Sequence, residues 1–397
     1  MAKNLRAGCL LAAALAAPAI GASGPTGSCI LVDPVYARMA AATGGQVMRV
    51  RPDEMAKMQP FMTAQLLGNM ATVERRRIDL SRKGKASVDI PVDSTAGSLL
   101  VSVSKTGDCA PSSQQLRLVR PNGLPLAATG VGVQIAEHAM GKMFLVDAPE
   151  PGMWKLEAAG SGPMELFAQA RSELEFHRFQ FVRPGGDIHG GFSPIPGSPV
   201  VGAKVLGAAT LLGDIGSVRF RLVDDAGRTL GTPMLATNYP MADPDDYMGN
   251  VALPSVPFRV EASGVDAKGL AFKRIYSMQF EAQPVAVDAK GFSVAEGRPG
   301  MSRVVTFVVR NLGQSGNFRF LATNAGGWAR SPQPTSATLG RNQSVEVQVL
   351  LKVPTDAQAG DDHSIVFTAT REDASSVYKS AVVQVIVLRP DEPEALR

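Results

Sequence analysis

From Ala86 onward the sequence alternates apolar and polar residues in short runs, and this period of two constrains the chain more than any other feature. SVDIPV, SLLVSVSK, QLRLVRPNG, KMFLVDAP and MWKLEAA each place every second side chain on one face. Runs of this kind, broken by turn residues, form antiparallel sheets with one face buried and one wet. The centre of the pattern is Val146–Phe179. There a Pro/Gly turn leads to Trp154 on an alternating strand, then to a Gly-rich hairpin and a strand that runs into the next domain. The 40 Gly and 28 Pro of the 397 residues are spread along the chain, as several small β domains separated by turns require.

The segment before Ala86 reads differently. VYARMAAATGG is a short helix closed by Gly44 and Gly45, and GQVMRV is expected to be a strand. Asp53 is expected to cap a second helix, EMAKMQPFMTAQLLGNM, with Pro60 forcing a kink or a late start. Met55, Met58, Met62, Leu66 and Leu67 are expected to face inward. A Pro/Gly-rich stretch, RPGGDIHGGFSPIPGSP, is expected to separate the first two sandwiches. The expected fold class is thus mainly β. A signal peptide at 1–23 precedes a short α/β stub at 30–82. Sandwiches follow at 86–180, 184–282 and 284–389, the last two immunoglobulin-like, with a disordered tail at 390–397.

The signal reading rests on Lys3 and Arg6 ahead of the apolar run Cys9–Ile20 and the small residues that follow it. That run is too short to span a membrane, so no membrane span is expected. Removing it leaves 38 Lys and Arg against 36 Asp and Glu, a balance that offers nucleic acid no electrostatic footprint. It also leaves Cys29 and Cys109, an even pair in an exported chain, with two buried free thiols as the competing reading of a disulfide. Neither Cys9 nor Cys29 has a good lipidation context.

YARMAAATGGQVMRV, VDAPEPGMWKL and VDDAGRTL…PFRVEASGVDAKGLAFKR together resemble the region behind the von Willebrand factor A domain in hemicentin-like extracellular proteins. In that family a galactose-binding-like jelly roll with a P-x-x-G-x-W strand precedes immunoglobulin-like domains. Pro149, Gly152 and Trp154 stand at the first pattern, and Phe258, Gly264, Asp266, Gly269 and Phe272 match the pattern of the next domain. The last domain is similar to bacterial immunoglobulin-like modules with a P-G-x-S…F-x-V-x-N-x-G signature, at Pro299, Gly300, Ser302, Phe307, Val309, Asn311 and Gly313. The resemblance implies a remnant of an A domain at 30–82. The D-x-S-x-S metal-ion-dependent adhesion motif does not occur in the sequence, so metal-dependent adhesion is not implied.

No nucleophile elbow, phosphate loop, H-E-x-x-H or dinucleotide fingerprint occurs, and no catalytic residue and no cofactor are expected. His138, His177, His189 and His363 lie far apart in sequence. Asp243, Asp245 and Asp246 form a weak calcium candidate without EF-hand spacing, and a solvated turn is the alternative. Trp154 alternates inward. Trp328 in NAGGWARSP and His189 in GGDIHGGF are the candidate ligand contacts, with corner packing and an ordinary loop position as their alternatives. The expected function is protein binding or adhesion outside the cell or at its envelope. A carbohydrate-binding role for the first sandwich and an accessory subunit docking through 30–80 are the alternatives. The expected partner is therefore an extracellular or envelope protein, or a glycan.

Overall fold

The computed structural model describes residues 34–48, 50–81, 83–106, 114–184, 191–195, 198–233, 235–236, 245–291 and 294–389. The expected signal peptide, Cys29, Cys109, Asp243, His189 and the tail at 390–397 lie outside the described residues. The structure is mainly β, with two short helices, α1 (Pro34–Thr43) and α2 (Met55–Leu67), ahead of three sandwiches.

The first sandwich has eight strands: β1 (Ala71–Asp79), β2 (Lys85–Val92), β3 (Ser98–Lys105), β4 (Gln115–Val119), β5 (Val133–His138), β6 (Gly141–Asp147), β7 (Gly152–Ala159) and β8 (Pro163–Arg171). They form a five-stranded sheet, β1-β8-β3-β6-β5, and a three-stranded sheet, β2-β7-β4. Leu99, Val101 and Val103 of β3, Leu166 and Ala168 of β8, and Trp154 and Leu156 of β7 close the core between them. Trp154 is buried and donates its indole N–H to the Glu150 carbonyl at 2.8 Å, which meets the polar end of an otherwise apolar side chain.

The α/β stub does not stand apart. Residues 71–79, within its expected bounds, form β1, which pairs antiparallel with β8 as the edge of the five-stranded sheet. Gln46–Met48 and Val50 form no strand, because they cross the sheet's outer face and have no neighbouring strand to pair with. Gly44, at φ +78°, sits against the backbone of Ser277 in the second sandwich, where a Cβ has no room.

The handover to the second sandwich also differs from expectation. β9 (Glu175–Pro184) already belongs to the second domain, so the junction is Ser172–Leu174, and the Pro/Gly-rich stretch lies inside that domain. With β10 (Phe192–Pro194), β11 (Val205–Leu212), β12 (Ile215–Val223), β13 (Thr229–Gly231), β14 (Asp246–Val251), β15 (Arg259–Asp266) and β16 (Ala271–Ile275) it builds two sheets, β10-β9-β11-β14 and β13-β12-β15-β16. Phe176, Phe179, Phe181, Phe220, Phe258 and Phe280 fill the space between them, mostly edge to face.

The third sandwich packs a three-stranded sheet on a five-stranded one between Val285 and Val387. Asn311 of its N-x-G signature is buried. Its amide donates to the Leu339 carbonyl at 2.9 Å and its Oδ1 accepts from the Gly313 N–H at 3.0 Å, so this motif holds a corner.

The first two sandwiches meet at a buried polar hub. Arg274 of β16, 1% exposed, donates through Nη2 to Asp93 at 2.5 Å and to Ser172 at 2.7 Å, and through Nε to the Leu174 carbonyl at 2.7 Å. Asp93 also accepts from the Thr95 hydroxyl at 2.7 Å, and Lys273 pairs with the buried Glu74 of β1. Asp266 accepts the Ser94 N–H at 2.9 Å across the same boundary. Each charge removed from water at this hub is met by an opposite charge or a hydrogen bond, which is the condition for burying it without a large penalty.

Candidate functional site

The helical segment packs on the outside of the first sandwich. A 3₁₀ turn, Pro52–Glu54, starts it, and Glu54 rather than Asp53 supplies the cap. Its Oε2 accepts the Arg51 N–H at 3.0 Å, while Oε1 accepts the Ala139 N–H at 2.7 Å in the turn between β5 and β6. One carboxylate thus caps the helix entry and ties it to the sheet. α2 runs through Pro60 and lies on the outer face of the five-stranded sheet. Gln65 donates to Gln169 of β8 at 3.0 Å.

Only part of the apolar surface of α2 is used. Met58 and Phe61 are buried against Leu100, Ala136, Met143 and Leu145. Met55, Met62, Leu66 and Leu67, expected to face inward, are exposed, Leu67 at 81%. At 100° per residue, positions 55, 62 and 66 form a stripe about 90° from the buried one, and a single flat sheet face cannot cover both. Val35, Tyr36 and Met39 of α1 are exposed as well. The sequences of α1 and α2 contain two charged residues, Arg38 and Lys57.

A second feature lies at the end of the same sheet. A cavity of about 340 Å³ is lined by Gln114 and Gln115 on one side and by Glu137, His138 and Lys142 of the β5–β6 hairpin on the other. His138 is 7% exposed. Its Nδ1 accepts the Met140 N–H at 3.4 Å, which places the ring proton on Nε2, and Nε2 has no partner. Lys142 and Glu137 pair at 2.5 Å. A third feature, a cleft of about 240 Å³ between the first two sandwiches, is lined by Asn69, Thr72, Glu175, His177 and Tyr276, with His177 Nδ1 3.2 Å from Glu175.

Burial holds the His138 imidazolium below its ordinary range, and the Glu54 carboxylate opposes this only in part. The folded value therefore lies below the unfolded value of about 6.5, so the unfolded chain takes up the proton first as pH falls. Stability from this group is full above about pH 6.5 and declines on acidification until the folded value is passed. Urea midpoints at about pH 7.5 and 5.5 are expected to differ more in the wild type than in His138→Gln. An equal difference in the two proteins would assign the slope to other groups.

The residues singled out in the sequence do not converge. Trp328 is 7% exposed in the third core, its ring 4.2 Å from that of His363, so it offers no open face for a sugar ring. Asp246 opens β14 and accepts the Thr210 hydroxyl at 2.6 Å, and the Asp245 carbonyl accepts the Leu211 N–H at 2.9 Å. Among the described residues no three His, Cys, Asp or Glu side chains gather as a metal site. No helix of the described residues is long and apolar enough to cross a membrane. His138 had no local signal beyond its place at a strand end, because its significance depends on what burial leaves unpaired.

Comparison with known proteins bears on the last domain. No curated protein matches the chain. Among solved structures, the propeptide form of the Bacillus licheniformis lipase BlEst2 is 15% identical over 53% of this chain and 43% of its own, at a TM-score of 0.24. The aligned part of this chain therefore spans less than half of that lipase. The full ectodomain of mouse nectin-like molecule 4 is 11% identical over 77% of this chain and 99% of its own, at a TM-score of 0.18. The periplasmic chaperone SfaE is 12% identical over 28% and 60%, at 0.21. At these scores the likeness does not extend to a shared overall fold. A family profile described as the VWA7 Ig-like domain matches residues 291–389, and the C-terminal region of this chain is accordingly immunoglobulin-like.

Proposed function

We propose that this chain is a non-catalytic binding protein, exported to the envelope or the extracellular space, whose sandwiches carry a helical docking face for a protein partner. The observation that carries this reading is the uncovered stripe of Met55, Met62 and Leu66 beside Leu67, with Val35, Tyr36 and Met39 of α1. Large apolar side chains exposed on two helices that carry two charged residues between them suit a partner that presents apolar side chains in return. The glycan reading has less behind it: Trp154 is the one Trp between residues 71 and 171, it is buried, and that stretch contains no Tyr.

The test compares the wild type with a Leu66→Asp/Leu67→Asp variant, both immobilised and exposed to envelope extract. Both positions are exposed, so the melting temperature should hardly move and the stability change should stay within about 0.5 kcal/mol. A partner retained by the wild type should be lost by the variant. Identical sets retained by both proteins would sink the helical face as the docking surface.

A further inference from the structure

Beneath α2 the outer face of the five-stranded sheet is only partly apolar. Leu100, Ala136, Met143 and Leu145 receive Met58 and Phe61, but Ser102 and Ser104 follow Leu100 on the same face of β3, and His138 follows Ala136 on the same face of β5. The cross-strand registers put His138 and Ser104 on either side of Gly141, and Ser102 beside Met143. All three are buried, and among the described residues the Ser102 and Ser104 hydroxyls and the His138 Nε2–H have no hydrogen-bond partner. The side-chain amide nitrogen of Gln46, on the stretch that leads from α1 to α2, is in the same state.

A polar group shut off from water without a partner opposes the contact that shuts it off. When the helical segment lifts, water satisfies each of these groups, so the segment is held less firmly than its apolar contacts alone would hold it. The ties that oppose lifting are Met58, Phe61, the Glu54 bond to the Ala139 N–H and the Gln65 bond to Gln169. His138 makes the balance depend on pH. The charged groups around it are Glu54 of the segment, Glu165 of β8 in the same cross-strand row, paired with Arg75 at 3.1 Å, and Glu137, paired with Lys142 at 2.5 Å. None of these carboxylates accepts from Nε2. Burial disfavours the imidazolium and Glu54 opposes this only in part, whereas a ring in water takes up its proton near pH 6.5. Acid therefore favours the lifted state.

We propose that residues 34–68 form an acid-released strap, which in mild acid comes off the outer face of the first sandwich as a unit and uncovers Leu100, Met143 and Leu145 while the sandwich stays folded. The core of that sandwich lies on the other side of the sheet, with Leu99, Val101 and Val103 facing Trp154 and Leu156, and it keeps its own cover when the strap leaves. Release of the strap requires no partner on the exposed stripe of α2.

The test is hydrogen–deuterium exchange of the full chain at about pH 7.5 and 5.5, read by mass spectrometry on peptides from α2 and β7 and corrected for the intrinsic pH dependence of exchange. In the wild type the opening equilibrium of α2 should rise up to about tenfold between the two pH values, the limit set by uptake of one proton at a group with a free value near 6.5. His138→Gln keeps a polar side chain without a titration in this range, and should cut that rise to less than about twofold. Ser102→Ala removes a hydroxyl that has no partner, so α2 should exchange more slowly at both pH values with the pH dependence intact. The β7 peptides should stay equally protected throughout. The proposal is overturned by α2 protection that is the same at both pH values in the wild type, by a rise that persists in His138→Gln, or by β7 losing protection along with α2. Melting curves establish that each variant is folded. If His138→Gln is not, faster rather than slower exchange of α2 in Ser102→Ala decides against the strap.

Discussion

Asp93→Ala is expected to destabilise the first two sandwiches together by about 3–5 kcal/mol, the cost of leaving a buried guanidinium without its counter-ion. Arg274 is 1% exposed and Asp93 fully buried, so no water replaces the lost carboxylate without opening the junction. Burial pushes the Asp93 carboxyl upward, but Arg274 and the hydrogen bonds from Thr95 outweigh it and hold it below the ordinary range. The stabilisation is thus present above the unfolded value of about 3.9 and is lost as pH falls through the folded one. The chain carries its own reporters: Trp154 in the first sandwich and Trp328 in the third are the two Trp residues. Urea unfolding followed by Trp154 fluorescence near pH 7 should shift strongly in Asp93→Ala, and the difference from wild type should shrink below about pH 4. A variant within about 1 kcal/mol of wild type near neutral pH would show that the hub does not join the two domains.

Phe61→Ala should release the helical segment while leaving the sandwiches intact. Met58 and Phe61 are the buried anchors of α2, and removing a buried aromatic ring costs about 3–5 kcal/mol. Few isolated helices of this length are stable in water, so most of that loss falls on the docked state of α2. Hydrogen exchange should show the amides of α2 losing protection and those of β3 and β6 gaining solvent access on the outer face. The Trp154 unfolding transition should move little, because Trp154 belongs to the other core. If the Trp154 transition moves as far as α2 does, the helix and the first sandwich are one cooperative unit.

These two variants touch the features that were hardest to read in advance. Alternation in SLLVSVSK placed Leu99, Val101 and Val103 on one face correctly, since a strand has two faces and side chains alternate between them. The same run also contains Leu100, on the opposite face, and nothing local says that this face is covered. Its cover comes from α2, and that is why only Met58 and Phe61 of the helix are buried. For the other apolar residues of α2, periodicity showed an amphipathic tendency but not how wide a stripe the sheet would take. Asp93 and Arg274 illustrate a similar limit, being separated by 181 positions and joined by a handover at Ser172–Leu174 that carries no Pro/Gly signal.

The sequence by itself determined the mainly β class and the inward position of Trp154, and its late signature pointed to an immunoglobulin-like last domain. The first two rest on local rules, a period of two and a turn with its glycine. Only the tertiary structure decided which face of α2 stays in water, which charges share the junction, and that the His138 Nε2–H is left without a partner. Each of these is a matter of desolvation, and desolvation depends on every group brought near in space, whatever its distance along the chain.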